Sequence, residues 1–122
     1  MSSPTQRTLA EMRTRGYELV DVVEHFNFFT KRRHDLWGFG DVLCVGAQGI
    51  AIVQTTSGDN LSKRVHKILE SDALPVLQRA GVKVLAHGWR KNAKGRYVLR
   101  EIDQSGAPEH YAVKFEADWE SA

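Results

Sequence analysis

A mixed α/β fold, one sheet of both strand directions with helices packed on it, is what this sequence predicts, and three observations carry the prediction. Residues 42–46 and 50–55 are short apolar runs joined by Gly46-Ala47-Gln48-Gly49, the pattern of a tight hairpin. Residues from 61 to about 80 place Leu61, Val65, Ile68 and Leu69 at helical spacing. Beyond Gly81, β-forming runs return at 82–89 and 96–102. A strand meander followed by a helical crossover to a further strand combines antiparallel and parallel pairing in one sheet. The expected order is α-β-β-β-α-β-β.

The elements follow in chain order. Residues 5–15 read as a short helix, capped by Thr5, with Leu9 and Met12 as a thin apolar stripe and Gly16 beyond its end. Residues 17–28 are rich in β-formers and alternate loosely, which predicts one long first strand. Residues 31–40 are expected as a loop that Gly38 and Gly40 let turn sharply. Ser57-Gly58-Asp59-Asn60 is loop and cap chemistry. Pro75 breaks or kinks the helical stretch, leaving Leu74, Leu77 and Ala80 on the inner side of a second half. Residues 92–95 turn the chain, 110–115 can add an edge strand, and the tail from about 116 to 122 is expected to fray.

The 122 residues make one ordinary domain, and no apolar run approaches the roughly 20 residues that span a bilayer. The first sixteen residues, MSSPTQRTLAEMRTRG, contain no apolar leader, and the single Cys44 sits among Val42, Leu43 and Val45 as a buried small hydrophobe. Both features point to the cytosol, with no membrane partner. One cysteine excludes an internal disulfide and a Cys-rich zinc site, and His25, His34, His66, His87 and His110 share no metal-binding spacing. The net charge is +2, unevenly spread. Lys31, Arg32 and Arg33 precede the loop before Asp41; Lys63, Arg64 and Lys67 follow Thr56; Arg90, Lys91, Lys94 and Arg96 flank a later turn; Glu116, Asp118 and Glu120 gather at the end. A polyanionic substrate fits the first two clusters, although charge runs are more often plain solvated faces.

The chemistry concentrates in residues 35–56. Asp41 opens the strand before the hairpin, and Gln54 and Thr56 close the strand after it. Side chains two apart on a strand share a face, so Gln54 and Thr56 point the same way and the hairpin brings Asp41 beside them. Metal-dependent phosphodiester cleavage needs such a set: oxygen ligands and a further group near the phosphate. Asp35 is either a further carboxylate there or a partner of the Arg32-Arg33 pair. Asn60, Arg64 and Lys67 form one helical stripe that borders the apolar one. Trp37 and Trp89 could stack on bases, or simply pack.

The stretch resembles the PD-(D/E)XK nuclease superfamily, in particular its small Holliday-junction-resolvase-like and phage-type members, over roughly residues 8–102. Asp41 matches the Asp that starts the second core strand, Gln54 falls on the (D/E) position, and Thr56 falls on the Lys position, a departure. The resemblance implies a restriction-endonuclease-like fold and an Mg²⁺- or Mn²⁺-dependent DNA endonuclease. It would be a homodimer directed at branched DNA, and the phage-type likeness suggests a phage-encoded protein acting in a bacterial host. Asp41, Gln54 and Asp35 would hold the metal. Arg64 or Lys67 would replace the missing lysine, and Lys31, Arg32, Arg33, Lys63, Arg64 and Lys67 would hold the backbone. Glu11 and Glu24 compete for the acidic residue that members place in or after the first helix. Two other readings stand beside this one: the same fold with catalysis lost, binding DNA or a protein, and an unrelated α+β RNA-binding domain.

Overall fold

The structure is a computed structural model and describes residues 3–116 and 119, with the side chains of all of these except 25–27 and 33. Helix α1, Pro4–Thr14, starts under a capping box in which the Gln6 N–H donates to Ser3 Oγ and the Ser3 N–H donates to Gln6 Oε1. The cap is therefore Ser3 rather than Thr5: a glutamine stands three residues after the serine, and Pro4 takes the first helical position, where it loses no bond.

Strand β1 is Leu19–Val22, shorter than the long strand expected over 17–28. The Val23 N–H donates to the Asp41 carbonyl, 2.9 Å away, and the chain then leaves the sheet. It forms a separate antiparallel hairpin from β2 (His25–Asn27) and β3 (Arg32–His34), which replaces the first part of the loop expected over 31–40. β1 lies at the sheet edge, so nothing beyond it holds a longer strand in place. Strands β4 (Val42–Gly46) and β5 (Gly49–Ser57) form the expected hairpin, with Gly49 at φ 117, a conformation that L side chains rarely adopt. Helices α2 (Leu61–Leu69) and α3 (Ala73–Arg79) cross over to β6 (Lys83–Lys91), followed by β7 (Tyr97–Asp103) and β8 (Ala112–Phe115).

The main sheet has the order β1-β4-β5-β6-β7-β8. Among the described residues only β5–β6 is parallel, the pair that the helical crossover joins. The mixed sheet with helices is thus as the sequence predicts. The helical stretch breaks at 70–72, ahead of Pro75, which sits in the first turn of α3 where its missing N–H is harmless. Leu74 and Leu77 are buried, but Ala80 and Leu69 are exposed, because each helix turns only one narrow face to the sheet.

Helices cover both faces. On one side Leu61, Ile68, Leu74 and Leu77 pack with Phe39 on Ile52, Val84 and Ala86. On the other, Met12 and Tyr17 pack on Val42, Cys44, Ala51, Val53 and Leu85. Burial pushes the Cys44 thiol pKa up to about 11, so it behaves as the inert hydrophobe expected. The expected frayed tail, Asp118 and Glu120 included, lies largely outside the described residues.

Candidate functional site

Asp41 enters β4 directly after a tight loop in which Leu36 pairs with Gly40. A Cβ on Gly40 would lie 2.8 Å from Ile52 Cγ2, so glycine lets this loop press against β5. The Asp41 N–H donates to the Val53 carbonyl at 3.0 Å, which sets Asp41 opposite Gln54. Asp41 Oδ2 accepts from Gln54 Nε2 at 2.6 Å and from the Thr55 N–H at 2.9 Å. Both residues are buried, Asp41 3% and Gln54 2% exposed. The predicted convergence of Asp41 and Gln54 is what the fold builds.

Because the Gln54 amide nitrogen must face the carboxylate, its oxygen faces away. Gln54 Oε1 is buried with no hydrogen-bond partner among the described residues. Such an acceptor costs about 1–3 kcal/mol if nothing approaches it. It belongs to a residue lining a cleft of about 550 Å³ that Asp41, Thr56, Asp35, Arg64 and Lys67 also line.

The cleft adds Glu24. Its carboxylate and those of Asp35 and Asp41 present oxygens that all lie within 4.8 Å of one another. Burial, opposed by the Thr55 N–H and reinforced by a hydrogen bond that the Asp41 carboxyl donates to Glu24 and by the nearby Asp35 charge, pushes the Asp41 pKa up to about 7. Of the two competing glutamates, only Glu24 reaches the cleft; Glu11 pairs with Arg15 at 2.8 Å on α1. Lys67 Nζ lies 3.2 Å from Asp35 Oδ2, so Asp35 pairs with Lys67 and also joins the carboxylates. Arg64 has no hydrogen bond or ion pair among the described residues. Thr56 offers a neutral hydroxyl. The rim is completed by Ser3, Pro4 and Thr5 at the start of α1, where the helix dipole is positive.

The remaining expected residues lie elsewhere. Lys63 is exposed on α2, and Asn60 bonds Ser57 Oγ at 3.2 Å. Lys31 and Arg32 are on the β2–β3 hairpin, and the side chain of Arg33 lies outside the described ones. Trp37 is 54% exposed in the loop before Asp41, whereas Trp89 is buried.

A second polar group, unsuspected from the sequence, fills the opposite face of β5. Trp89 Nε1 donates to Thr8 Oγ1 at 3.0 Å; Thr8 Oγ1 lies 2.9 Å from Thr55 Oγ1 and 3.1 Å from His87 Nδ1; His87 Nε2 lies 2.7 Å from Glu101 Oε2, which Arg15 also reaches at 2.6 Å. Burial lowers the His87 pKa. Burial opposes ionisation of Glu101, but hydrogen bonds from His87 and Arg15 and the Arg15 charge outweigh it and take the Glu101 pKa down to about 2. The self-consistent assignment is neutral His87 protonated on Nε2, donating to a Glu101 carboxylate, with Thr8 donating to Nδ1. The network braces Thr55, whose backbone N–H holds Asp41.

Comparison with known proteins gives no match: no family model fits the sequence, and no curated protein or solved structure is significantly similar to it.

Proposed function

We propose that the chain is an Mg²⁺- or Mn²⁺-dependent DNA endonuclease with a PD-(D/E)XK-like site, cutting branched DNA as a homodimer. The observation that carries this reading is the convergence of the Glu24, Asp35 and Asp41 carboxylates in a cleft that Gln54, whose buried Oε1 has no partner among the described residues, also lines. Four oxygen donors suit a hard divalent cation. Glu24, Asp35, Asp41 and Gln54 would hold it. When bound, the cation would activate water and neutralise charge on the attacked phosphate.

The residues themselves do the rest. Asp41 must release its proton before it can ligate, because its pKa near 7 leaves it largely protonated in mild acid. Lys67, tied to Asp35, orients that carboxylate. Arg64 offers a planar fork of donors to phosphate oxygens, which suits it to the charge role of the lysine replaced by Thr56. The start of α1 adds a favourable potential for phosphate at the rim.

A second reading, a binding module that no longer cuts, is favoured by Thr56 and by the engagement of Lys67 with Asp35. One assay separates the two. Wild type and Asp41→Asn are incubated with Mn²⁺ and junction, flapped, nicked, single-stranded and duplex DNA. Cleavage by the wild type alone supports the nuclease. Salt-sensitive binding without cleavage supports the module, and wild-type rates in Asp41→Asn would remove Asp41 from the site.

A further inference from the structure

Among the described residues, the β2–β3 hairpin pairs with no strand of the main sheet. Its register, His25 with His34 and Asn27 with Arg32, places Glu24 opposite Asp35 at its root, so two of the three clustered carboxylates stand at the base of this arm. Its tip is the four-residue loop 28–31. There Phe28 is 83% and Phe29 99% exposed, and Lys31 takes a φ of 55. A left-handed conformation is unfavourable for a non-glycine residue, and a bare two-stranded hairpin is marginal in water. The arm also carries Lys31, Arg32 and Arg33, and no acid lies between residues 25 and 34.

We infer that this hairpin is a base-stacking arm: Phe28 and Phe29 stack on unpaired nucleobases of the same DNA whose phosphate enters the cleft. The inference rests on the nuclease reading and specifies its substrate as DNA with unpaired bases close to the cut. Aromatic rings stack on every base without sequence preference, and a cationic stem suits the adjoining phosphates. Five residues at about 3.3 Å each put the tip no more than about 17 Å from the carboxylates. At about 3.4 Å per nucleotide of a duplex strand, the cut falls within about five nucleotides of the stacked base.

The test measures binding of a Y-shaped fork with two unpaired arms and of a blunt duplex of equal length, without added metal, followed by cleavage mapping with Mn²⁺. The wild type should favour the fork by about 10- to 100-fold. Phe28→Ala with Phe29→Ala should abolish that preference and leave duplex affinity and thermal unfolding unchanged. Phe28→Tyr with Phe29→Tyr should retain it. A double alanine variant that still prefers the fork overturns the arm, even where wild-type cleavage upholds the nuclease. So does a wild-type dimer that the alanines dissolve into monomers with the preference intact, since the rings would then join two copies of the chain. If the wild type neither binds nor cuts either DNA, the nuclease reading and the arm fall together.

Discussion

Replacing Asp41 by Asn should reveal a titration hidden in the cleft. The carboxyl pKa rises from 3.8 to about 7, first through burial. Between those values the folded protein holds a proton that the unfolded chain has released, so stability must fall as pH rises through that window. About three pH units at 1.36 kcal/mol each give on the order of 4 kcal/mol of destabilisation by pH 8. Asn keeps an acceptor for the Thr55 N–H and cannot titrate. In urea unfolding with EDTA, the stability of Asp41→Asn relative to wild type should therefore rise by up to about 4 kcal/mol from pH 4 to 7, then level off. At pH 8, Mn²⁺ at a hundredfold its Kd should restore about 2.7 kcal/mol to the wild type and nothing to the variant. A stability gap independent of pH would mean that Asp41 is ionised throughout, and the argument from burial would be wrong.

Arg64→Ala should slow single-turnover cleavage by about 100-fold or more, with a much smaller loss of binding, whereas Lys67→Ala should act more weakly because Lys67 is engaged with Asp35; equal, small effects would leave Thr56 without a substitute. Arg32→Ala with Arg33→Ala should reduce the slope of log K against log salt by about 0.9 for each phosphate that the two arginines neutralise, and an unchanged slope would move the DNA surface elsewhere. Glu101→Gln should cost about 3 kcal/mol at pH 7 by stranding Arg15 and His87. Since the Glu101 pKa is depressed from 4.5 to about 2, its contribution is present above pH 4.5 and lost as pH falls towards 2, so calorimetry should show the two proteins converging in acid.

Asp41, Gln54 and Thr56 were legible in the sequence because their arrangement is local: one tight turn and the two-residue period of a strand set it. Arg64 and Lys67 were legible as a helical stripe, although period alone gives no sign of the ion pair from Lys67 to Asp35. Glu24 was obscured by the loose alternation of residues 17–28. The last bond between the edge strand β1 and β4, from the Val23 N–H to the Asp41 carbonyl, joins positions far apart in the chain. The hairpin of residues 25–34 carries no Asn-Gly or Gly turn signal, since its left-handed position is filled by Lys31. The Thr8–His87–Glu101 network joins one helix and two strands, and no spacing rule relates its members.

The attachment of the arm has a thermodynamic consequence. Glu24 and Asp35 flank its two strands, so a cation gripping both would staple the legs of the hairpin together at the root. Order at the root and grip at the tip then become linked equilibria. Whatever factor a divalent ion adds to the affinity for DNA, DNA must add to the affinity for the ion. A protein built this way would hold its metal loosely in isolation and firmly once loaded with substrate, and hydrogen exchange across residues 24–35 would slow in the presence of either ligand and most with both.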